Sequence, residues 1–263
     1  METRRPLIVD VRRGSLEDGP GIRTVVFFKG CPLRCVFCHN PEAQEPGPEL
    51  AFAAERCLHC GACAGVCRPA AIDLSSLSRI DRGRCDLCGR CAEVCTAGAL
   101  RLIGRYWPVE SLVDRLFRDA VFYRHSGGGV TFSGGECTMF PDYLEAVLRR
   151  LAGRGVHVAL ETSGFFDYGV FAAKILPYVQ LVMFDVKLAD SAASRRHLGQ
   201  PNERIVENLG RLLGESGVEV LPRVPLIPGV TDSRENLEAI VELLRRLGAA
   251  TLAPLPYNPL GSG

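Results

Sequence analysis

A cysteine pattern that occurs twice constrains the fold of this chain more than any other feature. Both copies have the spacing C-x2-C-x2-C-x3-C, one starting at Cys57 and the other at Cys85. Cysteine thiolates are soft ligands that favour zinc, copper(I) or iron–sulfur centres. Disulfide frameworks belong mainly to small secreted domains, whereas this chain has 263 residues and no apolar leader segment at its N-terminus. We therefore expect the segment from Cys57 to Cys95 to bind metal.

The repeated pattern resembles the binding sequence of bacterial ferredoxins that hold two [4Fe-4S] clusters. In that family, three cysteines of one copy and the fourth cysteine of the other copy bind each cluster. The resemblance implies a first site made of Cys57, Cys60, Cys63 and Cys95, and a second site made of Cys85, Cys88, Cys91 and Cys67. The proline that usually follows the fourth cysteine is displaced to Pro69 in one copy and replaced by Thr96 in the other. A four-thiolate zinc ribbon is the alternative, and it needs fewer ligands than this segment offers.

A different cysteine motif lies upstream, directly after the apolar run 25–28. Its members are Cys31, Cys35 and Cys38, with the spacing C-x3-C-x2-C. Closed structural zinc sites and electron-carrying clusters normally have four protein ligands. If these three thiolates hold a four-iron cluster, one iron stays open to a substrate. A structural zinc site that lacks one ligand is the alternative interpretation.

The residues in and around this motif carry a resemblance to a known family. The three-cysteine loop, with Phe37 before its last cysteine, is similar to the signature of radical S-adenosylmethionine (SAM) enzymes. More narrowly, the segments 18–24 and 38–42 resemble those of the activating enzymes of glycyl radical enzymes. The resemblance implies that the three cysteines bind the catalytic [4Fe-4S] cluster and that Phe37 borders the cofactor.

From Tyr106 onward, segments with helical and strand periodicity alternate. The predicted strands, including one before the first motif, are 24–28, 129–133, 156–160, 180–186, 218–224 and 251–255. Such alternation implies a parallel sheet with right-handed crossovers, whose carboxyl edge is where ligands bind. Six strands match the partial barrel of the radical SAM family. We therefore expect an α/β fold, a partial (β/α)6 TIM-type barrel made of residues 1–48 and 106–263, with a bacterial-ferredoxin-like domain inserted at 49–105.

Gly134, Gly135 and Glu136 follow one of the predicted strands and resemble the family's Gly-Gly-Glu motif. The resemblance implies that they bind the methionyl amino group of SAM. Glycines let the backbone approach a ligand closely, and a carboxylate accepts hydrogen bonds from an ammonium group. A plain strand-to-helix turn is the alternative. We expect Cys137, where the family often has proline, to be a small buried hydrophobic residue.

Polar residues at the ends of later strands match further family segments. Asp185 and Lys187 are two positions apart in a strand and so face the same side. The pair resembles the Asp-x-Lys motif of activating enzymes, which holds SAM and a monovalent cation; a surface ion pair is the alternative. We expect Arg223 to bind the SAM carboxylate bidentately, and Tyr257 or Asn258 to lie near adenine. The resemblance assigns cofactor binding to Glu161, Thr162, Ser163, Met183, Asp185, Lys187, Arg223 and Asn258, and a catalytic role also to Lys187.

The activity that the resemblance implies is reductive cleavage of SAM to methionine and a 5′-deoxyadenosyl radical. This radical removes a hydrogen atom from a backbone glycine of a partner glycyl radical enzyme. The implied cofactors are three [4Fe-4S] clusters, SAM and a monovalent cation, and the implied electron donor is a flavodoxin or a ferredoxin-type protein. One alternative is a radical SAM enzyme that acts on a small molecule or a peptide. Another is a ferredoxin-type electron carrier without catalytic activity, which would explain residues 57–95 alone.

The charge balance argues against two classes of partner. With 31 basic and 30 acidic residues, a net charge of +1 gives no electrostatic basis for binding nucleic acid or an anionic membrane. No run approaches the length of about 18 apolar residues that predicts a transmembrane helix. We expect a monomeric cytoplasmic protein.

Overall fold

A computed structural model describes residues 5–215 and 217–257 of this chain. The strands are β1 Leu7–Ser15, β2 Arg23–Lys29, β3 Glu49–Phe52, β4 Leu100–Ile103, β5 Gly129–Gly134, β6 His157–Thr162, β7 Leu181–Asp185, β8 Glu219–Leu226 and β9 Ala253–Pro256. The α-helices are α1 Ala62–Gly65, α2 Arg90–Glu93, α3 Val109–Phe117, α4 Ala120–Ser126, α5 Pro141–Ala152, α6 Tyr168–Lys174, α7 Ser191–Leu198, α8 Glu203–Glu215 and α9 Arg234–Arg246. No helix in these ranges combines the length and the apolar character that crossing a membrane requires.

The chain divides into two compact units, and the larger one combines Met1–Pro46 with Tyr106–Gly263. Its sheet has the strand order β1-β2-β5-β6-β7-β8-β9. Strand β1 pairs antiparallel with β2, while every other neighbouring pair is parallel. Helices or helical turns separate the consecutive parallel strands from β5 onward, as right-handed crossover connections require. The predicted α/β class with a mostly parallel sheet is confirmed.

One face of this sheet packs against the helices. Val26 and Phe28 of β2, and Val130 and Phe132 of β5, are buried there as pairs, because residues two apart in a strand face the same side. Helices α3 and α5 cover them with residues three and four apart, such as Leu144 and Leu148 of α5. The opposite face carries a separate small cluster of Ala159, Leu181 and Met183. Polar side chains continue that second face toward the carboxyl ends of the strands.

The smaller unit, Gly47–Arg105, contains the cysteine repeat. Strands β3 and β4 pair antiparallel, with Glu49 opposite Ile103, and so join the start of the unit to its end. Corresponding positions of the two repeat copies have the same backbone conformation. His59 and Leu87 have φ values of 53° and 54°, and Gly61 and Gly89 have φ values of 75° and 77°. The two copies are therefore structural repeats, and each contains one helical turn, α1 or α2, before its last cysteine.

Several elements differ from the sequence prediction. Strand β1 is not among the predicted strands, the first of which is 24–28, yet it forms an antiparallel edge of the sheet. Its exposed positions weaken the strand pattern, and Arg13 and Asp119 form an ion pair that ties it to the segment between α3 and α4. Helix α7 was not predicted, because it is short and rich in alanine, serine and arginine. His197 lies in the last turn of this helix.

Truncation of a buried ring tests the packing of the sheet on its helices. We expect Phe132→Ala to lower the free energy of unfolding by about 3–5 kcal/mol, because Phe132 is fully buried and its removal leaves a cavity. Phe122→Ala is the matched control, since Phe122 is 48% exposed, and its effect should stay below about 1 kcal/mol. Urea denaturation of the two variants under anaerobic conditions measures the difference. Equal midpoints for the two variants would contradict this packing.

Candidate functional site

The three-cysteine loop follows β2 and is held by backbone hydrogen bonds from two directions. Gly30 N and Cys31 N donate to the carbonyl oxygens of Ala43 and Gln44, at 2.7 and 3.0 Å. On the other side, Arg34 N donates to Leu198 O at 2.7 Å, and the next turn of the loop reaches His197 O. Because the last carbonyl groups of a helix have no partner within it, the end of α7 is a natural anchor for this loop. The loop is thereby fixed without forming a helix or strand of its own.

The thiols of this loop lie in a largely buried environment close to charged residues. Burial raises the pKa of Cys31 to about 12, and the nearby Glu136 carboxylate adds to that rise. Burial also raises the pKa of Cys35, while the Lys187 ammonium opposes the rise. Metal ligation needs the thiolate form, so a bound cation and Lys187 would together hold these sulfurs deprotonated. Cys31 therefore lies within electrostatic range of Glu136 and Lys187, and Cys35 lies within electrostatic range of Lys187.

All twelve cysteines are free thiols. Within the described ranges 5–215 and 217–257, no three His, Cys, Asp or Glu side chains converge closely enough to hold one metal ion. A [4Fe-4S] cluster requires a wider arrangement, because each thiolate binds a different iron atom of the cube. Three cysteines around one loop fit such a cluster with one iron left for another ligand.

Glu136 is fully buried beyond the end of β5, and hydrogen-bond donors surround its carboxylate. The hydroxyl group of Thr138 donates to it at 2.8 Å, and that of Thr162 at 3.0 Å. Ser163 donates through both its backbone N–H, at 2.9 Å, and its hydroxyl, at 2.6 Å. Glu136 therefore joins the end of β5 to the end of β6, and the donors of Thr162 and Ser163 are used in that link.

The two glycines before Glu136 are required by backbone packing. A Cβ atom on Gly134, which has a φ of +103°, would lie 2.3 Å from Phe28 N. A Cβ atom on Gly135 would lie 2.1 Å from Gly30 O. Glu136 N donates to that same Gly30 oxygen at 2.8 Å. The motif thus lets the end of β5 pack directly against the start of the three-cysteine loop. Backbone packing therefore requires these glycines whether or not they bind a ligand.

A chain of buried ion pairs crosses the ends of β6, β7 and β8. Arg223 Nη1 donates to Glu161 Oε1 at 2.6 Å, and Arg223 Nε donates to Asp185 Oδ1 at 2.9 Å. Lys187 Nζ then donates to Asp185 Oδ2 at 3.1 Å, and Ser133 Oγ donates to Glu161 Oε2 at 2.5 Å. The strand register brings the three charged groups together, since Asp185 pairs with Arg223 and Glu161 lies opposite Met183.

Burial and charge compete at this ion-pair chain, and charge prevails for both Asp185 and Lys187. Burial alone would raise the pKa of Asp185, but Lys187 and Arg223 lower it below its usual value. Burial alone would lower the pKa of Lys187, but Asp185 and the thiols of Cys35 and Cys31 raise it. The pKa of Arg223 is raised by the two carboxylates despite its burial. The edge therefore presents fixed charges of both signs beside the three-cysteine loop.

Two asparagines that sequence reasoning missed fix the backbone after Lys187. Asn236 Nδ2 donates to Lys187 O at 3.2 Å and to Thr231 O at 2.8 Å, while its Oδ1 accepts from Ala189 N at 3.0 Å. Asn202 Nδ2 donates to Leu188 O at 3.0 Å and to Ala189 O at 2.7 Å. A side-chain amide that binds distant backbone leaves no local sequence pattern.

The remaining predicted residues make fewer contacts with the three-cysteine loop and the ion-pair chain, or lie outside the described residues. Phe37 is partly buried within the three-cysteine loop. Tyr257 is 44% exposed, and its ring centroid lies 5.7 Å from that of His39. Met183 Sδ accepts from Arg223 Nη1 at 3.6 Å. Asn258 lies outside the described residues. Cys137 is fully buried in the core behind β5, which confirms the expectation of a buried hydrophobic residue.

In the smaller unit, the cysteines form two groups, and the last cysteine of each repeat copy lies with the other copy's group. A single pocket is lined by Cys57, Cys60, Cys63 and Cys95, which we call the first cysteine site. Cys91 lies within electrostatic range of Cys85, Cys67 and Cys88, and we call this group the second cysteine site. Each site thus has three sulfurs of one copy and the last sulfur of the other. Four soft donors around one pocket fit an iron–sulfur cluster.

Comparison of this sequence with known proteins finds one family model and several related activating enzymes. A family model described as the radical SAM superfamily matches residues 25–244. The benzylsuccinate synthase activating enzyme of Thauera aromatica is 43% identical, over 93% of this chain and 76% of its own length. The isethionate sulfite-lyase activating enzyme of Nitratidesulfovibrio vulgaris is 41% identical, over 96% of this chain and 84% of its own length.

Among solved structures, a radical SAM methyltransferase from Sphaerobacter thermophilus is similar in fold. The matched region covers 96% of this chain and 67% of that protein, with a TM-score of 0.55 and 17% sequence identity. The family match begins in β2, includes the three-cysteine loop and the ion-pair chain, and ends in α9. The prediction of a radical SAM activating enzyme is confirmed. This chain belongs to the radical SAM superfamily and, within it, to the enzymes that activate glycyl radical enzymes.

Proposed function

We propose that SAM binds at the carboxyl edge of the sheet, between the three-cysteine loop and the ends of β5 to β8. The observation that carries this proposal is the ion-pair chain from Glu161 through Arg223 and Asp185 to Lys187, which lies beside Cys31 and Cys35. SAM carries an amino group, a carboxylate and a sulfonium charge. An edge with fixed charges of both signs suits such a zwitterion, because each group finds a partner of opposite sign.

The three cysteines hold a [4Fe-4S] cluster whose fourth iron has no protein ligand. When bound, this cluster supplies the electron that cleaves SAM to methionine and the 5′-deoxyadenosyl radical, which then removes hydrogen from a glycine of the partner enzyme. Arg223 and Lys187 orient the SAM carboxylate. The Gly134–Glu136 segment receives the amino group, with Glu136 acting through the strand ends that it joins. Phe37 borders the cofactor, and adenine lies toward Tyr257.

A monovalent cation near Glu161, Thr162, Met183 and Asp185 stays a prediction. Arg223 already supplies one positive charge to both carboxylates. A cation at this position would have to bind while that guanidinium remains in place, because Arg223 is buried and both of its partners are largely buried too.

The fold of the larger unit is a partial (β/α)6 barrel interrupted by a ferredoxin-like insert, so that residues 1–48 and 106–263 form the barrel and residues 49–105 the insert. The parallel order from β2 to β9 and the covering of one sheet face by helices support this description. The exchanged grouping of cysteines supports two further [4Fe-4S] clusters in the insert. They relay electrons from a flavodoxin or a ferredoxin-type donor.

The protein substrate of the chain is a glycyl radical enzyme, and the chain acts on it as a cytoplasmic monomer. The similar activating enzymes are named for different partners, such as benzylsuccinate synthase and isethionate sulfite-lyase, and this supports the class of partner. A small molecule or a peptide is the second candidate substrate. It would use the same cofactor chemistry.

SAM cleavage tests the catalytic cluster. We expect the reduced protein, reconstituted with iron and sulfide, to form 5′-deoxyadenosine from SAM without any partner. Cys38→Ser should lose about four iron atoms per chain and fall to the level of a protein-free sample. Cys137→Ala is the control, because Cys137 is buried in the core and should not affect the reaction. Chromatography of the nucleoside and an iron assay measure both effects, and unchanged cleavage by Cys38→Ser would contradict the proposal.

Addition of candidate glycyl radical enzymes separates the two classes of substrate. A protein substrate should give a glycyl doublet in electron paramagnetic resonance that depends on SAM and on Cys38. If deoxyadenosine forms but no candidate partner ever acquires that signal, a small-molecule or peptide substrate is indicated instead.

Asn236 offers a test of the site geometry that leaves all proposed ligands intact. We expect Asn236→Ala to weaken SAM binding about tenfold, equivalent to about 1.4 kcal/mol, because the backbone after Lys187 loses its anchor. Glu235→Ala on the same helix turn is the exposed control. Equilibrium dialysis with labelled SAM measures affinity, and the iron content of each variant shows that its clusters are present. Equal affinities for the two loaded variants would contradict the positioning of Lys187 by Asn236.

A further inference from the structure

We propose that the Arg79 guanidinium donates hydrogen bonds to sulfur in the first cysteine site and makes the cluster held there the first of the two to accept an electron. The proposal rests on the two-cluster function proposed above for residues 49–105. It assigns a role to a residue outside the cysteine motifs and distinguishes two sites that the sequence repeat makes look equivalent.

Arg79 is buried, with 3% of its surface exposed, and lines the pocket of the first cysteine site. Its Nη2 atom lies 3.8 Å from Cys57 Sγ and 3.3 Å from His59 Nδ1. Its Nη1 atom donates to Leu74 O at 2.5 Å. Its Nε–H is buried and has no hydrogen-bond partner among the described residues. A buried donor without a partner costs about 1–3 kcal/mol, which a sulfur atom in the pocket would relieve.

Structural roles account for only part of this arrangement. The guanidinium lies 5.2 Å from the ring centroid of Phe52, and the bond to Leu74 O closes the loop between the two repeat copies. Neither contact uses Nε–H. Asp73 lies within electrostatic range of Arg79, but its carboxylate accepts from Ser75 and is at the surface. Arg79 also has a φ of +60°, a conformation that is strained for an arginine and persists where surrounding contacts demand it.

The second cysteine site has a different electrostatic environment. Its arginine, Arg90, donates from Nε to Cys88 Sγ at 3.3 Å, but this contact is exposed, so water and salt screen the charge. Asp86 accepts from Cys88 N at 3.2 Å and brings a negative charge to the same loop. Leu58 takes the place of Asp86 in the first copy, and residues 57–67 include no acidic residue.

The difference in charge determines which cluster is reduced more easily. Reduction adds one electron, taken from the low-potential donor protein, and so adds one negative charge to the cluster without any proton. Cluster potentials depend on net charge, on hydrogen bonds to the sulfurs and on exposure to solvent. A buried guanidinium stabilises the added charge more than a screened one, because the effective dielectric constant is lower. The electron therefore rests on the first cysteine site when the insert carries only one.

The experiment is a redox titration of the full-length chain, reconstituted anaerobically and followed by electron paramagnetic resonance. We expect Arg79→Leu to disfavour reduction of one cluster about tenfold, equivalent to a shift of about 59 mV to lower potential. Arg90→Leu is the matched control and should shift the other cluster by less. Arg79→Lys retains the charge without the planar donor and should give an intermediate shift, and it serves as the second variant if Arg79→Leu does not hold its clusters.

The outcomes separate this inference from the proposed function on which it rests. A wild-type chain with iron for a single cluster, instead of about 12 iron atoms, would overturn the two-cluster function and the inference with it. If the wild-type chain holds all clusters and the loaded Arg79 variants shift no more than Arg90→Leu, the inference alone is overturned. Iron content and potentials are both measured without SAM or a partner, so neither result depends on catalysis.

Discussion

One buried guanidinium holds the functional edge of this protein together. Arg223 of β8 binds carboxylates on β6 and β7, so a single side chain joins three adjacent strands at the end where the site lies. Its side chain is only 9% exposed, and neither carboxylate is more than 21% exposed. Removing one partner of such a buried pair typically costs about 3–5 kcal/mol, because the remaining charge is left uncompensated. The charged side chains at this edge are therefore held in fixed positions by their buried ion pairs.

A second link makes the edge continuous with the three-cysteine loop. Glu136 binds donors at the end of β6, while the glycines before it let the end of β5 contact Phe28 and Gly30 directly. Gly30 in turn begins the loop that carries the cysteines. The far side of that loop binds the carbonyl oxygens at the end of α7, the helix that follows β7. The loop is thus positioned both by the end of β5 and by the end of α7.

The sequence predicted best what depends on local pattern. The parallel strands contain apolar runs bounded by turn residues, so their existence could be predicted. Strand β1 lies at the edge with many exposed positions, and α7 lacks a strong apolar stripe, so neither had a clear signal. The cysteines, Glu136, Asp185 and Arg223 could be found from motifs. Their partners could not, because Asn236 binds backbone 47 and 49 residues away and its role exists only in the folded chain.

The same distinction between pattern and surroundings applies within the cysteine repeat. The glycines that shape the loop occur in both copies, and Gly61 and Gly89 have nearly equal φ values of 75° and 77°. The positions between the cysteines differ in charge, with leucine opposite aspartate and alanine opposite arginine. Backbone geometry is set by the repeated residues, whereas electrostatic potential is set by the unrepeated ones and by Arg79, which belongs to neither copy. If the insert holds the two clusters proposed above, the duplicated cysteine spacing gives both the same ligand set, while the unrepeated residues give them unequal affinity for an electron.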